Sequence, residues 1–328
     1  MRERLMEFTF CTLTYNQERF VAMQLESIKY LINRYGTGIK FHYILSDDCS
    51  SDNTVFIVKK WISKNNTLFS DVKIIETEVN QGIVANFIRA YNAIETNEFK
   101  ILAGDDLYTY NNLFSVFDGS DFYISPTLRF IDNDVTQHFY NDFFKYILAF
   151  ESKSNELQRF INRQYKCSTG IDAAGMFFPQ KTIRKDISCI LGNYKWIDDT
   201  PLISYIMSLP NIKISILTKP YVFYRVSDGI TRKKDLKLYN EYCEERKRVN
   251  NTIHIHRKNL PNIINPYQYI RFMDIVLSQL KGLIYNNYYA REKRIKNDYK
   301  RDIKRGNVFL KYITNESNKF YSEVGIEF

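Results

Sequence analysis

Three pairs of adjacent aspartates stand out as chemistry-bearing residues: Asp47-Asp48, Asp105-Asp106 and Asp198-Asp199. The middle pair closes the stretch Lys100-Ile-Leu-Ala-Gly-Asp-Asp-Leu-Tyr108, in which a short apolar run stops at Gly104. That pattern predicts a buried strand delivering two carboxylates into a crevice, the usual place for ligands in open α/β sheets. Adjacent carboxylates repel each other and cost desolvation, so a fold that keeps them together supplies a cation or a hydrogen-bonding ligand. Hard oxygens without a His or Cys cluster suit Mg²⁺ or Mn²⁺, most often shared with substrate phosphates. The same residues also suit plainer structure: Gly and Asp favour turns, and an Asp at a helix start is a cap.

The elements that would position these pairs follow from the hydrophobic pattern. Phe8–Thr14 is β-branched and aromatic, a first strand. Arg19–Tyr35 has helical spacing and ends at Gly36. Lys40–Ser46 is a second strand running into Asp47-Asp48-Cys-Ser-Ser-Asp-Asn-Thr54, where Asp52 or Asn53 can cap the next helix. Asp71–Glu76 is a third strand, and Asn80-Gln-Gly82 turns it into a helix that precedes the Lys100 strand. Four strand–helix alternations imply a doubly wound, mostly parallel sheet. The first strand–helix turn, Thr14-Tyr-Asn-Gln-Glu, lacks the glycines of a dinucleotide site, and no phosphate-cradling GxxxxGK[ST] loop occurs.

Further on, the pattern predicts a short helix over Asn111–Phe117, strands at Asp121–Ser125 and Arg129–Ile131, and an aromatic helix over Phe139–Phe150. Gly170–Phe178 reads as a wall lying close against a ligand. Thr182–Leu191 reads as a helix, and Pro201 sits near the first turn of the helix introduced by Asp198-Asp199. Strands at Ile212–Leu217 and Tyr221–Val226 close this half. Charged helices follow: Asp235–Val249, a second with the apolar stripe Ile270, Met273, Val276, Leu277, Leu280 and Ile284, and a third over Tyr288–Tyr312 broken near Gly306.

Composition narrows the class. The 328 residues include 25 Tyr and 24 Phe against 12 Gly and 7 Pro, which favours a packed core over low-complexity linkers. No apolar run is long enough for a membrane span, and the N-terminal apolar run is too short for a signal peptide. Five scattered cysteines form no CxxC and read as reduced cytosolic thiols. His254 and His256 have strand-type spacing but no third metal ligand nearby. The net charge of +9 is unevenly placed: residues 1–224 balance to −1, whereas 225–328 carry +10. Such asymmetry suggests an appended segment that meets an anionic surface, either a membrane or a nucleic acid.

In order, strand–Thr14-Tyr-Asn16, Asp47-Asp48-Cys-Ser-Ser-Asp-Asn-Thr54, Asn80-x-Gly82-x-x-x-Asn86, Gly104-Asp105-Asp106 and Trp196-Ile-Asp198-Asp199 resemble the inverting family 2 glycosyltransferases with the GT-A fold. The resemblance covers residues 7–231. It implies an α/β GT-A fold, a Rossmann-like doubly wound mixed sheet spanning 1–232, with a basic helical C-terminal region over 233–328. By resemblance, Asp48 meets the nucleobase of a nucleotide-sugar donor. A carboxylate there would accept from the imide N–H of uracil, which favours UDP. Thr14, Asn16, Asn80, Gly82, Asp105 and Arg225 complete the donor site. Asp106 holds Mn²⁺ or Mg²⁺ on the diphosphate. Asp199, with Asp198 beside it, is the general base that takes the proton of an acceptor hydroxyl.

Two departures from the family pattern stand in this chain. Tyr224-Arg225-Val226-Ser227 has serine where many relatives have histidine. Val84-Ala85-Asn86 replaces Ala-Arg-Asn, with Arg89 one turn later, where it either points at the donor or, the preferred reading, is a helix-surface charge. The acceptor expected is a glycan or lipid-linked saccharide. The Tyr285, Tyr288, Tyr289, Arg291, Lys293, Arg294 and Lys296 face suits contact with the inner face of a bacterial membrane by an otherwise cytoplasmic enzyme. No nucleic-acid partner is expected. The competing classes are a nucleotidyltransferase, which would need a Gly-rich N-terminal loop with a basic residue, and a non-catalytic GT-A-like module that binds glycan or nucleotide and has a tail that binds an anionic surface.

Overall fold

The computed structural model describes residues 6–136, 173–209, 211–226, 236–258 and 285–328, with backbone alone for 204, 207, 208, 216, 250–258 and 285–296. Strand β1 (Met6–Thr14) is followed by helix α1 (Val21–Tyr35), β2 (Ile39–Asp47), α2 (Thr54–Lys64), β3 (Asp71–Glu76), α3 (Ile83–Asn92) and β4 (Glu98–Ala103). These strands form one parallel sheet in the order β3-β2-β1-β4. The order follows from right-handed crossovers that change direction at β1, which places a crevice at the strands' carboxyl ends.

Each face of the sheet is apolar, as a doubly covered sheet requires. On one side Phe8, Phe10, Tyr43 and Leu45 pack with Leu25, Ile28 and Trp61. On the other, Cys11, Ile44 and Phe99 pack with Phe87, Ala90 and Tyr91. Alternation along β1 and β2 sends successive side chains to opposite faces. The Trp61 indole donates to Glu26 at 2.7 Å, so even the buried carboxylate of α1 is paired.

Beyond β4 the chain builds smaller mixed sheets. Strands β5 (Leu107–Tyr108), β6 (Phe122–Ile124), β7 (Thr127–Ile131), β8 (Asp134–Val135) and β9 (Met176–Phe177) precede α4 (Ile187–Leu191) and α5 (Asp199–Ser208). Strands β10 (Ile214–Ile216) and β11 (Val222–Arg225) then complete the orders β10-β6-β9 and β5-β11-β7-β8. The expected helix at Asn111–Phe117 is only a 3-10 turn, Leu113–Val116, started by the Asn112 side chain. The helix expected from Thr182 starts later, at Ile187, where Asp186 caps it. The stretches 139–150 and 265–284 lie outside the described residues.

Helix α6 (Leu236–Lys258) runs well past Val249, and α7 (Tyr285–Glu323) is continuous through Gly306. The expected break is therefore wrong, and the contacts supply the reason. A Cβ on Gly306 would stand 3.1 Å from Phe223 and Val135 and 3.3 Å from Leu128. Glycine lets the helix press onto β7, β8 and β11. Phe309, Leu310 and Ile313 continue that seam, and Phe320 and Tyr321 join the main core. His254 and His256 lie on a helix, not a strand, where positions two apart do not share a face. The side chains of the 285–296 basic face, together with Ser227, lie outside the described residues. No described helix is long and apolar enough to cross a membrane.

Candidate active site

The carboxyl ends of β1, β2 and β4 converge. The Gly104 N–H donates to Leu13 O at 2.8 Å, and the Asp48 N–H donates to Thr14 O at 2.9 Å. A Cβ on Gly104 would come within 2.8 Å of Thr14 Cγ2, so glycine is required for the two strand ends to touch. Thr14 is buried and donates its hydroxyl to Asp47 at 2.6 Å. Asp47 also accepts the Ser50 N–H and hydroxyl, which curls the turn after β2. Asn16 takes a left-handed conformation (φ 51°) and accepts the Ser51 N–H at 2.8 Å, joining the two loops. Asp52 accepts the Thr54 N–H and hydroxyl, capping α2 from one residue earlier than Asn53.

Asp48 lies just beneath this surface. Its carboxylate accepts the N–H of Gln81 at 3.1 Å and of Gly82 at 2.7 Å, and pairs with Arg89 at 3.1 Å. Arg89 also reaches Ser46, Asn86 and Gln81. The surface reading of Arg89 is thus corrected: its guanidinium turns inward because a buried carboxylate needs a cation more than the helix surface does. Gly82 at φ 93° starts α3, and a Cβ there would stand 2.9 Å from Lys195. The exposed Asn80 accepts the Gly82 N–H at 3.1 Å. The loop 80–82 therefore touches both the end of β2 and the segment that leads to Asp198.

The turn carrying Asp105 and Asp106 is held from below. The Gln24 amide donates to Ala103 O and, at 3.2 Å, to Asp106 O. The Arg225 N–H donates to Asp106 Oδ1 at 2.8 Å, and the Arg225 Nε donates to Asp105 O at 2.9 Å. The Arg225 guanidinium stacks 4.4 Å from the rings of both Phe20 and Phe130 and is buried. Burial pushes the Asp105 carboxyl up, against the Arg225 charge. Burial and then the Asp105 charge push Asp106 well up, against the Arg225 N–H and charge and the Lys100 charge.

Lys100 belongs to none of the sequence motifs. It rises from β4, is 3% exposed, and donates to Met176 O at 2.7 Å and Ala173 O at 3.2 Å with its ammonium 4.5 Å from the Phe177 ring. Burial lowers its pKa to about 7, although Asp106 and Asp198 both pull it back up. Lys100 therefore lies within electrostatic reach of Asp106 and Asp198, 92 positions apart in sequence. Asp198 precedes α5, and its pKa is raised to about 7 by burial and then by the Asp199 charge, against the Lys100 charge. Asp199 opens the helix, with one carboxylate oxygen accepting from the Thr200 N–H and hydroxyl. The available signal for Lys100 was a cation flanked by Phe99 and Ile101 inside a strand that ends in an apolar run.

The fit to a divalent cation can be judged on the donors. Two carboxylates with raised proton affinity mark negative charge short of compensation, and Gln17 Oε1, next to Asp105, is buried with no hydrogen-bond donor. These are hard oxygens of the kind Mg²⁺ and Mn²⁺ prefer. Among the described residues no three His, Cys, Asp or Glu side chains cluster as a self-sufficient metal site. A metal here would need further oxygens from a ligand.

The family model described as Glycosyl transferase family 2 matches residues 9–183. That span contains Thr14 through Asp106 of the site and ends before Asp198, Asp199 and Arg225. No curated protein gives a significant sequence match. Among solved structures, S. aureus TarS 1-349 superposes with TM-score 0.52 at 15% identity, covering 96% of this chain and 89% of that one. A longer S. aureus TarS structure gives 0.51 at 17% identity, covering 96% and 54%. S. aureus TarS 1-349 with UDP gives 0.47 at 18% identity; there the chain spans about three fifths of its neighbour, 61%, with 68% of its own length covered. At these identities the likeness is one of fold.

Proposed function

Since the chain belongs to glycosyltransferase family 2, we propose that it moves a sugar from a nucleotide diphosphate donor to a hydroxyl of a saccharide acceptor, with inversion at the anomeric carbon. The observation that carries this reading is that Asp106, in the turn after β4, and Asp198, at the start of α5, both lie within electrostatic reach of Lys100, beside the loop fastened by Asp48 and Arg89. The exposed Tyr15, next to Thr14 and Asn16, offers a ring face for a nucleobase. Asp48 would act on the nucleotide chiefly by fixing Gln81 and Gly82, because its own carboxylate is already occupied. TarS has been crystallised with UDP and with UDP-GlcNAc, which makes uridine diphosphate sugars the first donors to test.

Asp105 and Asp106 would hold Mn²⁺ or Mg²⁺, which when bound neutralises the leaving diphosphate. Arg225 would support that turn from beneath. Asp199, oriented by Thr200, would accept the proton of the acceptor hydroxyl, and the neighbouring carboxyl of Asp198, with its pKa near 7, would tune that transfer. Lys100 would keep charge balance between the donor and acceptor sides while holding the 173–176 segment against the site. The C-terminal helices would serve as the contact to a membrane-borne acceptor.

A thermal-shift titration with UDP, with and without Mn²⁺, tests the donor site, since a ligand that binds only the folded state raises stability with its concentration. UDP with Mn²⁺ is expected to stabilise the wild type and not Asp106→Ala. Asp199→Asn is expected to keep UDP binding and to lose roughly 10²–10⁴ in transfer. A wild type that no nucleoside diphosphate stabilises under either metal condition refutes the proposal.

A further inference from the structure

Helix α6 lies outside the segment matched by the family model, yet one of its side chains reaches the approach to Asp198-Asp199. Glu245 is 2% exposed. Its Oε2 accepts the Lys195 N–H at 2.8 Å, and its Oε1 accepts the N–H groups of Trp196 and Ile197, both at 2.8 Å. Three consecutive backbone donors thus converge on one carboxylate, a concave array that suits an anion. The segment is held from the other side too, because the Val84 N–H donates to Lys195 O at 3.1 Å. Ile197 and Val249 pack together with Tyr194, Trp196 and Tyr242 and close the joint with apolar surface. Outer contacts are slight: Lys195 reaches Glu241 at 3.4 Å, and the exposed Arg248 stands 3.8 Å from Glu245.

We propose that Glu245 is a positioning residue for the reaction, which clamps residues 195–197 and so sets where Asp198 and Asp199 stand relative to the Asp105-Asp106 turn. The inference rests on the transferase reading above. Its physical basis is that the three N–H groups have a common partner on another element. Without that carboxylate the segment keeps only its apolar packing and its outer Lys195–Glu241 contact to α6, neither of which fixes the backbone at 195–197. A displacement of about 1 Å of a reacting group costs up to roughly 10²-fold in rate. The nucleotide bed built by Asp48, Gln81 and Gly82 has its own fastening.

The test compares wild type, Glu245→Gln and Glu245→Ala. Each is assayed for UDP release from UDP-glucose, UDP-GlcNAc and UDP-galactose with water as the sugar acceptor, for UDP binding, and for amide hydrogen exchange across 194–200. The Gln side chain keeps one accepting oxygen and turns an NH₂ toward the remaining donor. Exchange at 195–197 is expected to quicken in the order wild type, Gln, Ala. The kcat is expected to fall in the same order, by roughly 10- to 100-fold for Ala, with donor KM and UDP binding within about twofold of wild type. Folded variants whose kcat stays within about twofold of wild type overturn the inference while leaving the transferase reading standing. Unchanged exchange at 195–197 overturns the clamp itself, and exchange is measurable whether or not a variant is active. A wild type that neither binds UDP nor releases it from any of the three donors refutes the transferase reading, and the positioning role with it.

Discussion

Replacing Arg89 by methionine gives a sharp test of how the nucleotide-side loop is built. The substitution keeps the length of the side chain and removes the charge. It breaks an ion pair at 3.1 Å in which the Asp48 side chain is 3% exposed and the Arg89 side chain 19%. Removing one partner of a fully buried pair costs about 3–5 kcal/mol, because the remaining charge stays buried. Here the arginine keeps some water contact and Asp48 retains the Gln81 and Gly82 N–H groups, so the loss is set at about 2–3 kcal/mol. For a chain of this size that corresponds to roughly 3–4 °C in Tm. An exposed helix charge would instead cost under about 0.5 kcal/mol. Calorimetry at pH 7 and low salt reads the difference. The double variant Asp48→Asn/Arg89→Met should be less destabilised than the two single losses summed, since the pair is removed together. A Tm within about 1 °C of wild type for Arg89→Met refutes the buried-pair reasoning.

Asp198 makes stability depend on pH in a definite direction. Its folded pKa is raised from 3.8 to about 7, so the fold binds that proton more tightly than the unfolded chain. The resulting destabilisation is absent below pH 4, grows as pH rises toward 7, and is complete above it. Asp198→Asn should therefore be more stable than wild type at pH 8, on the order of 2–4 kcal/mol, and nearly equal to it at pH 4. Urea melts at the two pH values decide it, and an equal difference at both sinks the assignment. Gly306→Leu should lose about 2–4 kcal/mol although leucine favours a helix by about 1 kcal/mol over glycine. The cost arises from a Cβ 3.1 Å from Phe223 and Val135, and a variant more stable than wild type in thermal melts would mean that α7 does not press onto the sheet there.

The alternation of apolar strands and amphipathic helices up to Ala103 was determined by local pattern. So were the polar turns after β1, β2 and β4, because hydrophobic period and turn chemistry act within a few residues. Asp71–Glu76 coincides with β3, and Gly104 marks the end of β4 by the same local logic. What the pattern could not carry were partners distant in sequence. Arg89 reads as a surface charge until Asp48, 41 positions away, is seen to be buried beside it. Gly306 reads as a helix breaker because propensity is all that a glycine shows locally, whereas its place in α7 is decided by three side chains from another layer. Glu245 looks like any acid on a charged helix, and the three N–H groups that use it lie 48 to 50 positions away. Lys100 is legible as an anomaly, but its electrostatic reach to both Asp106 and Asp198 exists only once the chain has folded. Propensity and turn chemistry are local energies written in neighbouring residues. The pairing of buried charges and the close approach of backbones depend on which distant surfaces meet, and only the tertiary structure decides that.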